Sequence, residues 1–143
     1  MREISCNAII SSIKEMCIQA THYLSDDMKS ALYKGVEKEE SPLGRQILEQ
    51  LCENLTIAGK DMIPICQDTG MAVVFMKIGQ DVHITGGRLA DAVNEGVRQG
   101  YEQGYLRKSV VGDPIERINT KDNTPAVIHC EIVDGEQIDI TVA

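Results

Sequence analysis

Three glycines spaced four residues apart, Gly96, Gly100 and Gly104, lie within an amphipathic segment at residues 88–105. Apolar residues recur beside them at the same spacing: Leu89, Val93, Val97 and Tyr101. This pattern predicts a helix with an apolar stripe next to a row of glycines, here called the glycine-row helix. Three interior glycines cost about 3 kcal/mol relative to alanine, so the missing side chains must serve a purpose. The segment therefore predicts close packing against another backbone, or close approach of a ligand or partner subunit.

The N-terminal part of the chain carries three amphipathic segments that predict helices. Apolar residues at three- and four-residue spacing predict a first helix over residues 4–24. Ser25 can cap a second, shorter helix, because a serine oxygen accepts a hydrogen bond from a free amide of the first turn. Ser41 followed by Pro42 predicts the start of a third helix, and Gly59 predicts its end.

Short apolar runs elsewhere in the chain predict strands. A Gly-Gln-Asp turn separates residues 71–78 from residues 82–85, and an Asp-Gly turn separates residues 126–133 from residues 137–142. Each pair predicts a hairpin, because these turn residues favour tight reversals of the chain. The expected fold class is α+β, with N-terminal helices followed by a small mixed β-sheet and the glycine-row helix packed on that sheet.

The chain has 143 residues, a net charge of −8 and a pI near 4.8. This charge argues against nucleic-acid and anionic-membrane partners, because such contacts need clustered lysine and arginine. No apolar run approaches the roughly 18–20 residues of a membrane span, and the N-terminus lacks the basic and apolar regions of a signal peptide. We therefore expect a cytoplasmic protein without a membrane or nucleic-acid partner.

The cysteines form no Cys-x-x-Cys pair. They are Cys6, Cys17, Cys52, Cys66 and Cys130. Their odd number and the absence of a secretion signal predict reduced thiols. Cys17 lies on the apolar stripe of the first helix, which predicts a core position, and Cys6 and Cys52 are also predicted to be structural. His129 and Cys130 are adjacent on a predicted strand and point to opposite faces, so they are poor joint metal ligands.

Residues 64–70, Pro-Ile-Cys-Gln-Asp-Thr-Gly, place a thiol, an amide, a carboxylate and a hydroxyl between a proline and a glycine. Proline restricts the backbone and glycine permits a sharp turn, so these groups are predicted to lie on a short, well-defined loop. Cys66 has three interpretations: an ordinary thiol, a nucleophile with a histidine partner, or one ligand of a metal cluster. The spacing alone favours the ordinary thiol.

Arg107 is the first of two basic residues that follow the predicted end of the glycine-row helix. Its charge can stabilise the negative end of the helix dipole. Its guanidinium can also bind a carboxylate through two parallel hydrogen bonds. The pattern alone favours the helix-dipole role, and both interpretations stay open.

Several segments, taken in order, carry the pattern of a known family: Ile63-Pro64, Cys66-Gln67-Asp68-Thr69-Gly70, Tyr105-Leu106-Arg107, Asp113-Pro114, Asn119-Thr120 and Asp122-Asn123-Thr124-Pro125-Ala126-Val127-Ile128-His129. Together they resemble the class I, iron-sulfur fumarate hydratases and the related L(+)-tartrate dehydratases. The resemblance covers nearly the whole chain and fits the N-terminal part of an alpha subunit. We therefore expect residues 1–143 to form a single domain of such a subunit. We also expect it to be truncated at its C-terminus, because the chain stops on an apolar strand.

The resemblance implies a hydro-lyase that reversibly hydrates fumarate to L-malate, a reaction of the tricarboxylic acid cycle. It implies a four-iron four-sulfur cluster held by three cysteines, with Cys66 as one metal ligand and the other two outside this chain. The implied partners are a small dicarboxylate substrate, a beta subunit and a second copy of the enzyme. The isolated 143-residue chain is therefore expected to be inactive.

The same resemblance assigns roles to three further residues. Gln67 and Asp68 correspond to residues that line the substrate site, and Arg107 corresponds to one that binds a substrate carboxylate. Asp68 is expected to act catalytically by orienting water or the hydroxyl group, and a structural role within the loop is the alternative.

Two other functions stay open. The chain can belong to an L(+)-tartrate dehydratase, because the residues that choose between hydrogen and hydroxyl on the second substrate carbon are not identifiable. The alternative of another class is an inactive folded fragment or assembly module in which Cys66 is a free thiol.

Overall fold

The computed structural model describes residues 1–143 and has an α+β fold. Its helices are α1 (Cys6–His22), α2 (Asp26–Lys38), α3 (Pro42–Asp61) and α4 (Leu89–Gln103). Its strands are β1 (Arg2–Ser5), β2 (Val73–Gly79), β3 (Val82–Thr85), β4 (Val127–Val133) and β5 (Ile138–Val142). The predicted class, helices first and then small sheets with a packed helix, is confirmed.

Serine caps begin two of the N-terminal helices. Ser41 Oγ accepts a hydrogen bond from the amide of Gly44 at 3.3 Å, and Pro42 occupies the first turn, as predicted. Ser5 Oγ caps α1 by accepting from the amide of Ala8 at 3.2 Å. The predicted start of this helix at residue 4 is wrong, because residues 2–5 pair in parallel with β3.

Helix α3 runs past its predicted end at Gly59. It ends at Asp61, and the following residue, Met62, adopts the left-handed conformation with φ of 52°. A Cβ atom at Gly59 would lie 3.1 Å from Cε1 of Tyr23, so this glycine makes room for an aromatic ring. Glycine is therefore used here for packing and not for termination.

Both predicted hairpins are wrong, although their strands are present. Strand β2 lies at the centre of a three-stranded sheet, parallel to β4 and antiparallel to β5. Strand β3 pairs with β1 in a separate two-stranded sheet. Because β4 and β5 flank β2, the loop between them crosses the end of β2, where a Cβ atom on Gly79 would collide with the carbonyl oxygen of Gly135.

Helix α4 packs its glycine row directly on the backbone of α1. A Cβ atom at Gly96 would lie 2.9 Å from the carbonyl oxygen of Ile10, and one at Gly100 would lie 3.0 Å from that of Lys14. The apolar stripe of α4 joins the same buried core as alternate residues of β2, namely Val74, Met76, Val93, Val97 and Tyr101. The prediction of close packing against another backbone is confirmed at Gly96 and Gly100.

We expect Gly100→Ala to lower the free energy of unfolding, because the added Cβ would lie 2.8 Å from Cβ of Cys17 and has no space to move into. Overpacking of this kind costs about 1–3 kcal/mol. Gly35→Ala in α2 is the matched control: its Cβ would contact Leu48 at 3.5 Å, and helix propensity should add up to about 1 kcal/mol of stability. Urea unfolding measures the free energy of unfolding of both variants. A Gly100→Ala chain as stable as wild type, or more stable, would contradict the packing explanation.

Candidate functional site

The backbone of the loop at residues 64–70 is held at both ends. At its start, the amide of Ile65 donates to the carbonyl of Thr21 at 2.9 Å, and Asn54 Nδ2 donates to the carbonyl of Ile65 at 2.9 Å. At its end, the single hydrogen of the Tyr101 hydroxyl is shared between the carbonyls of Thr69 and Gly70, at 3.1 and 3.3 Å. The loop therefore has a defined position between α1, α3 and α4, as the Pro-Gly pattern predicts.

The side chains in the middle of this loop point to solvent. Cys66, Gln67 and Asp68 are all exposed. The thiol of Cys66 lies 3.5 Å from the carbonyl oxygen of Asp68. The carboxylate of Asp68 accepts no hydrogen bond from the loop amides, so the structure does not show the alternative structural role. A fixed backbone thus presents a thiol, an amide and a carboxylate that are available to a ligand.

Arg107 lies beside this loop. Thr69 Oγ1 donates to the carbonyl of Arg107 at 2.9 Å, which joins the two segments directly. Arg107 and Gln67 line one surface cleft of about 290 Å³ together with Ile63, Pro64 and Tyr105. The guanidinium is exposed and forms no ion pair. Arg107 lies beyond α4, which ends at Gln103, and its side chain makes no hydrogen bond to the last carbonyls of that helix.

Asn123 connects the loop at residues 64–70 with the segment that follows Arg107. Its side chain is fully buried, with Nδ2 donating to the carbonyl of Gly70 at 3.0 Å. Its Oδ1 accepts from the amides of Ser109 and Val110 at 2.8 and 3.1 Å. This residue falls in the family-like segment at residues 122–129, but the resemblance assigns it no role. Its backbone is left-handed, with φ of 62°, and the tolerance of asparagine for that conformation is the signal that points to it.

The turn that carries Asn123 is stabilised by charge. Asp122 accepts hydrogen bonds from the amide and hydroxyl of Thr124 at 3.0 and 2.8 Å, and from Arg98 Nε at 3.0 Å. Burial would by itself raise the pKa of Asp122, but the hydrogen bonds from Thr124 and Arg98 outweigh it and lower the pKa to about 2. Arg98 also contacts Glu95 on α4. The turn is therefore attached to the glycine-row helix at neutral pH.

The other cysteines are placed differently from Cys66. Cys6 and Cys17 are buried in the core, as predicted, and burial raises the pKa of Cys17 to about 11. Cys52 is half-buried on α3, and Cys130 is exposed on β4. No group of three or more His, Cys, Asp or Glu side chains is arranged to hold a metal ion. The donor set fits one thiolate ligand of a cluster and does not fit a complete cluster site.

The fold and site define an α+β protein that presents a thiol, an amide and a carboxylate beside an exposed guanidinium. Residues 10–143 match the family model described as Fumarate hydratase (Fumerase). The chain belongs to the class I fumarate hydratase and L(+)-tartrate dehydratase family, which confirms the resemblance seen in the sequence motifs.

Individual relatives agree with this assignment. The chain is 36% identical over 112 residues to a Methanocaldococcus jannaschii protein provisionally named L(+)-tartrate dehydratase subunit alpha, covering 78% of this chain and 39% of that protein. It is 35% identical over 126 residues to the anaerobic class I fumarate hydratase of Escherichia coli K12, covering 83% and 23%. It is 26% identical over 150 residues to the L(+)-tartrate dehydratase subunit alpha of another Escherichia coli strain, covering 99% and 49%. The chain thus spans less than half the length of these relatives.

The roles assigned to Cys66, Gln67, Asp68 and Arg107 stay predictions. None of the four helices combines the length and apolar character needed to cross a membrane.

Proposed function

We propose that this chain supplies part of the active site of a hydro-lyase that reversibly hydrates fumarate to L-malate. The observation that carries this proposal is the hydrogen bond of 2.9 Å between Thr69 Oγ1 and the carbonyl of Arg107. It joins the loop that carries Cys66, Gln67 and Asp68 to the backbone of Arg107, and the side chains of Gln67 and Arg107 line one cleft. Family membership supplies the reaction class, and this juxtaposition supplies groups suited to a dicarboxylate.

Each side chain of the site has a role in this chemistry. The guanidinium of Arg107 binds one substrate carboxylate through two hydrogen bonds and stabilises the negative charge that develops on it during the reaction. The amide of Gln67 lines the same cleft and orients the substrate. The carboxylate of Asp68 accepts a hydrogen bond from the reacting water or hydroxyl group and directs it toward the double bond.

Cys66 provides one thiolate for the four-iron four-sulfur cluster that family membership implies. When bound, the cluster would supply a Lewis acid for the hydroxyl group. The remaining two thiolates come from outside these 143 residues, because the chain offers no second suitable cysteine near the loop motif. The complete enzyme therefore includes further protein that supplies them. The names of two relatives as subunit alpha support a beta subunit as a partner, and the family resemblance implies a second copy of the assembly.

The second candidate substrate is L(+)-tartrate. It is favoured by the names of two relatives, one of them 36% identical to this chain. The complete enzyme, assembled anaerobically with iron and sulfide, is assayed with fumarate, L-malate and L(+)-tartrate. We expect kcat/KM to be higher for fumarate than for L(+)-tartrate, and the reverse order would assign the chain to a tartrate dehydratase.

The alternative of another class is a folded fragment or assembly module with Cys66 as a free thiol. Iron and acid-labile sulfide are measured in the isolated 143-residue chain after the same anaerobic treatment. We expect neither to be retained and no fumarate to be hydrated, because the chain presents one thiolate of three. Measurements on the complete assembly distinguish the two functions. If the chain is an assembly module, the iron and sulfide content of the complete assembly should not depend on Cys66.

A further inference from the structure

One buried amide group connects the two segments of the proposed site. Asn123 contacts Gly70, at the end of the loop that carries Cys66 and Asp68. It also contacts the amides of Ser109 and Val110, two and three residues after Arg107. Each atom of the amide is needed, since Oδ1 accepts two hydrogen bonds while Nδ2 donates the third.

The position of this amide is itself fixed by α4. Arg98 Nε on α4 donates to the carboxylate of Asp122 at 3.0 Å, and Asn94 Oδ1 on α4 accepts from the amide of Ala126 at 2.9 Å. Both contacts hold the turn on either side of Asn123. Tyr101, on the same helix, donates to the loop carbonyls, so one rigid helix supports both attachments of the loop.

We propose that Asn123 is a positioning residue that sets the Cys66–Asp68 loop relative to Arg107. The inference rests on the proposed function, because it matters for turnover only if these groups act on one substrate. A buried hydrogen bond of this kind resists competition from water, and the side chain of Asn123 is fully buried. Loss of the amide should leave the fold intact and allow the loop to move relative to the guanidinium.

Two substitutions separate the two contacts. Asn123→Gly removes the whole side chain at a left-handed position that glycine tolerates. Asn123→Asp keeps an oxygen for the amides of Ser109 and Val110 but loses the donor to Gly70. Lys121→Gly is the matched control, because Lys121 is exposed and also left-handed, with φ of 67°, and its side chain makes no hydrogen bond.

The first measurement is made on the 143-residue chain by NMR. In both Asn123 variants we expect order parameters at residues 66–70 to fall from about 0.85 to below about 0.6, with β2 unchanged. Hydrogen exchange at Ser109 and Val110 should accelerate in Asn123→Gly and stay slow in Asn123→Asp. Wild-type order parameters at residues 66–70 in Asn123→Asp would overturn the inference. A fall in order parameters throughout α1 and β2 would also overturn it.

The second measurement uses the complete enzyme. We expect Asn123→Asp to lower kcat on the order of 10- to 100-fold, because misplacement by about 1 Å has effects of this size. KM should change less than kcat, and iron and sulfide content should stay at the wild-type level, while Lys121→Gly keeps wild-type kcat. Unchanged kcat in Asn123→Asp, with Cys66→Ala and Arg107→Ala impaired, would overturn this inference alone. Unchanged kinetics in all three variants would overturn the proposed function.

Discussion

Cys66→Ala in the complete, anaerobically assembled enzyme is expected to abolish the visible absorbance of the iron-sulfur cluster and the hydration of fumarate. Iron-sulfur clusters are held by cysteine thiolates, and alanine offers no ligand atom. The Cys66 thiol is exposed on a loop whose backbone is held at both ends. The loss should therefore appear as missing iron and acid-labile sulfide, and not only as missing activity.

Two comparisons make this experiment specific to the ligand role. Cys130→Ala removes another exposed thiol, on β4, and should leave cluster absorbance unchanged. The isolated Cys66→Ala chain should unfold in urea within about 0.5 kcal/mol of wild type, as surface substitutions usually do. A wild-type spectrum in the Cys66→Ala enzyme would exclude Cys66 as a ligand.

Arg107→Ala is expected to lower kcat/KM for fumarate strongly without loss of the cluster. A hydrogen bond to a charged group contributes about 1.5–3 kcal/mol, which corresponds to a loss on the order of 10- to 100-fold in kcat/KM. Arg107→Lys keeps the positive charge but loses the planar, two-point contact with a carboxylate, so it should fall between wild type and alanine. Steady-state kinetics at constant ionic strength measures both variants.

The control for this change is Arg88→Ala. Arg88 is also exposed, and it precedes α4 at the opposite end of that helix. Its removal changes the net charge by the same amount, so wild-type kinetics are expected. Equal effects of the two variants would mean that overall charge, and not a carboxylate contact at Arg107, controls substrate binding.

The helices were the most predictable part of the fold, because their signals are local. The serine and proline at the start of α3 act within one turn, and the apolar stripes follow from helical periodicity. The strands were also located from their own residues. The pairing of the strands could not be predicted. An Asp-Gly turn favours a hairpin, but it does not indicate that β2 lies between β4 and β5.

The candidate site divides in the same way. Cys66, Gln67, Asp68 and Arg107 could be named from their motifs, and the Pro-Gly pattern predicted a defined loop. The role of Asn123 could not be predicted, because its contact with Gly70 spans 53 positions of the chain. The residues around Asn123 do not indicate which distant carbonyl accepts a hydrogen bond from its side-chain amide.

The sequence by itself determined the helices, the strand segments, the family and the chemical groups of the site, because capping, periodicity and motifs act over a few residues. Only the tertiary structure decided which strands pair, why the glycine row exists and how the loop is attached to the Arg107 segment. These features depend on close contacts between distant segments, where the backbones of α1 and α4 meet and a single buried amide satisfies three partners.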